Sequence, residues 1–446
     1  MSSESPNFEP MLRAIPNRTV PSNIKNGSLA LAAIGLVATL YGFLGGDADL
    51  VHRAQGAFIT NFMYFNGIAT GGFLLATIGM VTHSRWPRRF KRLSEAFAMF
   101  MPVTYVLLIA FMLLGGMDAY PWAHESMPPH KAIYFDKTFY IARLVIGLGI
   151  LVVLSQIFVR TSLRADIGVA KEEMTKLGLA VPEKWESMIG GWSGTEAEVE
   201  KAQSKMLTMS PIIIVAYALI FSMVSVDVSM SLAPHFFANM FPAWYFMSAI
   251  WSGLVYLAIF SILGSKWLGT TNLMSLNFYH DIGKLTFAFC MFWGYTTFAQ
   301  YLPIWYGNMT EEIGYILYRT HGEVFGTMSM VTLVLCFAAP WSILLSRELK
   351  KQPKSYVWII AMVAVGIWCE RYIVNMPSIH SFHMHETTSL PLGIVEIGMS
   401  LGFLGLFVFV VTNYLKDKPG AVLSDPFMQP DPEHVHVHPH VAEAHH

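Results

Sequence analysis

Charge is scarce in this chain. Only 13% of its 446 residues are Asp, Glu, Lys or Arg, against roughly 25% in ordinary soluble domains. The two signs nearly cancel, to a formal net charge of −1, which leaves no basic surface for a nucleic acid. Cysteine is almost missing. Cys290, Cys336 and Cys369 lie far apart inside apolar runs, and no CxxCH, CxxC or ferredoxin spacing occurs, so c-type haem and iron–sulfur ligation are disfavoured. Histidine is absent from the middle of those runs. His52, His83, His124, His130, His235, His280, His321, His380, His383 and His385 all fall at their ends or in loops, where they cannot provide the facing pair that a haem b needs. Residues 1–27 contain no apolar h-region and are expected to form a solvated tail rather than a cleaved signal peptide.

What the chain has in abundance is apolar sequence. It is 54% hydrophobic, with a mean hydropathy of +0.46, and its repeated apolar runs of about 20 residues predict an all-α polytopic membrane protein. Ten spans are expected near 28–46, 56–81, 94–116, 137–159, 207–230, 241–264, 283–303, 322–346, 355–376 and 391–415. Basic residues cluster in the loop 83–92 (Arg85, Arg88, Arg89, Lys91, Arg92) and the loop 346–354 (Arg347, Lys350, Lys351, Lys354). Both are even-numbered connections, so they and both termini are expected on the cytoplasmic side. The chain thus divides into a cytoplasmic tail (1–27), spans one to four (28–159), a cytoplasmic insertion (160–206), spans five to ten (207–415) and a His-rich cytoplasmic tail (416–446). The insertion alternates charged and apolar residues at helical spacing and predicts a solvated or membrane-skimming helix. The stretch 434–446 is low-complexity and expected to be disordered, with adventitious metal binding.

An internal repeat is visible. Tyr64-Phe65 with Gly67, Gly71 and Gly72 matches Tyr245-Phe246 with Ser248, Ser252 and Gly253. Small residues four apart let helices approach closely. Spans two and six run the same way, so the repeat predicts two related four-helix bundles, spans 2–5 and 6–9, with spans one and ten flanking them.

Against this background the charges inside spans stand out. Glu370 and Arg371 are consecutive in span nine and are expected in its outer third. Neighbouring helix positions point about 100° apart, so each is expected to need a partner elsewhere. Asp227, Glu396, Glu323 and Arg143 are expected at similar depth. Two arginines and four carboxylates would then converge on the outer half of the membrane, either locking helices together or lining a hydrated polar path. Asp281 and Lys284 would form a cytoplasmic mouth, with Glu95 near interfacial water. His235 either hands protons between the network and water or anchors its loop. His380, His383 and His385 have the look of a weak zinc or copper site; no metal is otherwise expected.

Two stretches carry a family resemblance. Ser225-Val-Asp-Val-Ser-Met-Ser-Leu-Ala-Pro-His235 resembles a signature of the ActF-type membrane subunit of bacterial alternative complex III. Asp281-Ile-Gly-Lys-Leu-Thr-Phe-Ala-Phe289, continuing through Phe292-Trp293, Gln300-Tyr301 and Ile304-Trp-Tyr-Gly-Asn308 to Glu311-Glu312, is similar to that subunit's seventh span and loop. Lys131, Tyr134, Tyr140 and Arg143 resemble its fourth-span entry. These motifs fall within about half the chain. Val228 stands where the signature usually has Trp, and the 160–206 insertion is longer than the pattern.

The resemblance implies an NrfD/PsrC-like protein of the bacterial inner membrane, a non-catalytic subunit of a quinol:cytochrome c oxidoreductase. Such a subunit carries no redox cofactor of its own; menaquinol or ubiquinol is the substrate of the complex. It would serve as scaffold and proton half-channel beside a paralogous quinol-site subunit. Further implied partners are an iron–sulfur subunit, multihaem and monohaem cytochrome c subunits, and a terminal oxidase. The rival readings are a chain that oxidises quinol itself, with Asp118, His124 or His235 as the proton acceptor, and a secondary transporter.

Overall fold

The computed structural model describes residues 7–125, 127–384 and 389–428. Its secondary structure is helical throughout these residues, with no strand among them. Ten long segments, named here α1 to α10, are Ser22–Leu44, Ala48–Val81, Trp86–Leu113, Lys137–Lys176, Thr195–Val228, Phe241–Leu268, Leu276–Gly307, Gly326–Leu344, Pro353–His383 and Ile394–Leu415. Among the described residues nine of them, all but α7, are long and apolar enough to cross a membrane. Helix α7 holds His280, Asp281, Lys284 and Gln300, which lower its hydropathy. Its 32 residues still span about 48 Å at 1.5 Å each. The crossing number must be even, because the segments flanking α1 and α10 meet on one face: Arg18 donates to the carbonyls of Lys416 and Lys418. This face is called proximal below, and the opposite one distal.

The packing follows the predicted repeat. Helices α2 to α5 form one bundle and α6 to α9 a second, with α2 against α6, α2 against α9 and α5 against α6 joining them. The repeated glycines lie where α2 and α6 cross. A Cβ on Gly253 would sit 2.2 Å from the Gly72 nitrogen, and one on Gly71 would sit 2.3 Å from the Ala249 carbonyl oxygen. Helices α1 and α10 pair beside the bundles through Gly35 and Gly402, where an added Cβ would reach 2.2 Å from backbone. Close backbone approach through small residues is how helices associate where lipid removes the hydrophobic drive.

In two helices a neighbouring side chain serves the carbonyl that a proline orphans. Helix α8 contains a π-turn, Val334–Ala338, just before Pro340. Pro340 has no N–H for the Cys336 carbonyl, and the Cys290 thiol donates to that oxygen at 3.4 Å. The ninth span was expected near 355–376, but helix α9 continues past Pro377 to His383. The carbonyl that Pro377 orphans belongs to Ile373, and Arg319 supplies the missing donor from the short helix Ile313–Thr320. Side chains of neighbours satisfy freed carbonyls in this way inside membranes.

The insertion corrects a second expectation. Residues 160–176 prolong α4 and 195–206 prolong α5, with a short helix Lys184–Met188 between them. Ile167, Ala170, Met174 and Trp185 form a small second core with Met11, Leu12 and Ile15 before α1 and with Ala421 and Leu423 after α10. The insertion is therefore partly buried under both terminal segments. Residues 434–446 lie outside the described residues.

Candidate functional site

The second bundle buries a charged pair. Glu370 and Arg371 are 2% and 1% exposed. They sit about 20 Å from the distal end of α9 at 1.5 Å per residue, near the middle of the helix and not in its outer third, because the helix outlasts Pro377. They also pair directly, against expectation: an Arg371 Nη1 hydrogen bond of 2.6 Å reaches Glu370 Oε1. Long side chains overcome the 100° offset because both turn toward α6. There Ser248 accepts from Arg371 and donates to Glu370 at 3.4 Å. Trp293 on α7 donates its indole N–H to Glu370 Oε2 at 2.9 Å. The guanidinium lies 3.6 Å over the Tyr245 ring, and its other terminal nitrogen donates to the Tyr245 carbonyl at 3.2 Å.

The repeat shows what is special about this spot. Gly67, which matches Ser248, faces Ala249 and the ring of Phe221 instead of charges. One bundle closes with an aromatic ring where the other holds an ion pair. Removing two charges from water costs several kcal/mol per ion unless close pairing and further hydrogen bonds compensate. Nearly every polar atom of the pair has a partner; Arg371 Nε is the exception.

A second cluster adjoins the first at the distal end of α5. Arg143 clasps the Asp227 carboxylate at 2.7 and 3.0 Å, and Tyr134 donates to it at 2.8 Å. The Asp227 backbone oxygen accepts from Tyr140 at 2.8 Å and also from Ser231. Two residues on, Ser229 donates to the Tyr245 hydroxyl at 3.0 Å, and the face of that ring carries Arg371. Asp227, Arg143, Glu370 and Arg371 thus belong to adjoining clusters joined through Ser229 and Tyr245.

The remaining predicted residues lie elsewhere. Glu396 forms a bidentate pair with Arg53, both contacts 2.8 Å, and accepts from the Gly393 N–H at 2.7 Å as a cap on α10. Arg53 had not been expected; its signal was a lone cation in the first turns of α2. Glu323 is exposed and takes no part. Asp281 and Lys284 pair at 2.8 Å while largely exposed on the proximal face. His235 is exposed at the rim of a distal cavity of about 350 Å³. Asp118 and His124 are exposed, with His124 against the Asp118 carbonyl at 3.0 Å. Among the described residues no group of three His, Cys, Asp or Glu could hold a metal ion. His380 bonds to Tyr318 at 2.6 Å, His383 stacks on His52 with ring centroids 3.8 Å apart, and His385 lies outside the described residues.

Sequence reasoning missed a third cluster entirely. Arg88, Lys91, Arg92 and Glu95 were expected at solvent or interfacial water, yet all are at most 1% exposed. Arg92 bonds to both Glu95 and Asp166. Asp425, from the segment after α10, accepts from Arg88 at 2.6 Å and Lys91 at 3.3 Å, while the Ser424 N–H donates to Asp166 at 2.7 Å. The only hint was that a strongly basic loop and an acidic Ser-Asp tail could be complementary.

No protein-family model matches the chain, and no curated protein matches it. Fold and site together define an all-α polytopic membrane protein with a charged core.

Proposed function

We propose that this chain is an integral membrane subunit of a respiratory quinol:electron-acceptor oxidoreductase. It stands beside a paralogous quinol-site subunit in the bacterial inner membrane, and serves as scaffold and proton half-channel. The observation that carries this reading is the junction of the two buried clusters. Asp227, inside the stretch that resembles the ActF-type signature, is two residues from Ser229, whose hydroxyl donates to Tyr245, and the ring of Tyr245 lies under Arg371 of the Glu370–Arg371 pair. Trp293, from the second resembling stretch, holds Glu370 itself. A buried carboxylate beside a guanidinium and hydroxyls can take and release a proton while the arginine retains its charge. The iron–sulfur subunit, the haem cytochromes and the terminal oxidase would carry the electrons.

Purification from native membranes tests the assembly. Haem-bearing subunits that co-purify stoichiometrically with this chain support the proposal. A chain that leaves the membrane alone contradicts it and favours a transporter.

A second reading has one observation in its favour. The distal cavity is lined by Phe236, Tyr315, Tyr318 and Ser378, and its Tyr318 hydroxyl bonds to His380. An aromatic slot with a phenol–imidazole pair suits a quinol headgroup. Photo-crosslinking with a quinone analogue separates the readings: label on this chain supports quinol binding here, and label on the paralogue supports the scaffold role.

A further inference from the structure

A cavity of about 710 Å³ opens on the proximal face between the ends of α1 and α10. Its walls combine Phe409 and Thr412 of α10 with Ile15, Pro16 and Val20 of the segment before α1. Its charged lining is Arg18, Lys25, Lys184 and Lys416, against Glu183 and Asp417. Asp417 is held by Lys418 at 2.8 Å. No carboxylate lies within ion-pair distance of Lys25, Lys184 or Lys416 among the described residues, and Lys416 reaches only the Asn413 amide, at 2.9 Å. The cavity therefore concentrates cations that the protein does not neutralise.

Arg18 makes this a built site and not a loose cluster of lysines. It is 9% exposed, and its hydrogen bonds go to three neutral carbonyls, those of Leu268, Lys416 and Lys418. Burial lowers its pKa to about 10, with Asp417 opposing, so it remains a cation at neutral pH. The cavity also adjoins an exposed apolar surface. Exposed apolar side chains run along α1 from Ile24 through Leu29, Ile34, Leu36, Val37 and Leu40. The lysines sit where that apolar surface stops, Lys25 in the first turn of α1 and Lys416 directly after α10.

We propose that this cavity binds a phosphate-bearing anion, the headgroup of an acidic phospholipid whose acyl chains lie along the outer faces of α1 and α10. Phosphate oxygens face Lys25, Lys184 and Lys416, and Arg18 holds the pocket floor. Basic pockets between membrane helices recognise acidic headgroups through this chemistry. Lys184 comes from the insertion, which thereby contributes directly to lipid recognition.

The test uses the full chain in nanodiscs of phosphatidylcholine containing a minority of phosphatidylglycerol, with retained lipid counted by native mass spectrometry. Phosphatidylglycerol should be enriched over its bulk share. The variant Lys25→Gln/Lys184→Gln/Lys416→Gln should reduce that enrichment by at least about fivefold. A control triple on the same face, Lys201→Gln/Lys351→Gln/Lys354→Gln, should leave it unchanged. Unchanged melting in pure phosphatidylcholine confirms that each variant folds. Millimolar inorganic phosphate is the second arm: a melting shift lost in the first triple variant, with no lipid enrichment, assigns the site to a soluble phosphate. Equal retention of both lipids in wild type and variant, with no phosphate shift, overturns the proposal.

Discussion

Arg319 donates its Nε–H at 2.9 Å to the Ile373 carbonyl, the group that Pro377 leaves without a helical donor. A second guanidinium nitrogen serves the Val374 carbonyl at 2.9 Å and Ser378, and the ring of Tyr315 covers the cation at 3.3 Å. A short helix outside the bundle thereby fixes the course of α9 beyond its proline.

Arg319→Leu should destabilise the protein by about 2–4 kcal/mol, since each buried acceptor left bare costs about 1–3 kcal/mol. Pro377→Ala restores a donor for Ile373. The double variant should therefore lose less than the sum of the singles in thermal unfolding. Strict additivity would refute the coupling.

Glu370→Leu strands Arg371 without its carboxylate and should cost about 3–5 kcal/mol. Glu370→Leu with Arg371→Met should recover much of that. Glu370→Gln keeps the shape and one acceptor oxygen, enough for Ser248 and Arg371 but not for the Trp293 N–H as well, so assembly should survive with a modest loss of stability. Coupled proton release in reconstituted membranes should then fall. Normal coupled rates in Glu370→Gln would leave the pair only a structural role.

Gly253→Ala should be poorly tolerated, because the new methyl meets the Gly72 backbone at 2.2 Å and the helices must separate. A loss of about 1–3 kcal/mol is expected. Gly27→Ala is the control: nothing lies within 4 Å of its Cβ position, and removing a helical glycine should be neutral or slightly stabilising. Melting of the two variants in the same detergent compares them directly.

Asp425→Asn removes a carboxylate shared by Arg88 and Lys91. The segment 421–425 should loosen and its amides exchange with deuterium faster than in the wild type. Exchange at α2 should remain slow.

The span plan, the parallel repeat and the placement of Glu370 and Arg371 inside a span were legible because hydropathy and helical spacing are local properties. Depth and partnership were not. The apolar run ends near 376, and the helix continues through Pro377 with a donor from 58 positions earlier, Arg319, serving the carbonyl that the proline orphans. The pairing of Glu370 with its neighbour depends on α6 offering Ser248 to both. Arg88, Lys91 and Arg92 correctly marked one face by their charge, but their burial depends on Asp166 and Asp425, which come from remote segments. The basic loop gave only a side of the membrane in sequence, because its counter-ions are far away along the chain.

The clasp of Arg18 on the Lys416 and Lys418 carbonyls has a consequence for biosynthesis. A ribosome delivers residue 18 long before residue 416, so the leading segment must wait, unlatched, while all ten helices are threaded. Folding of the proximal cap can finish only after the last helix has entered the bilayer. Quality control could then tell a finished chain from a stalled one by a single exposed arginine.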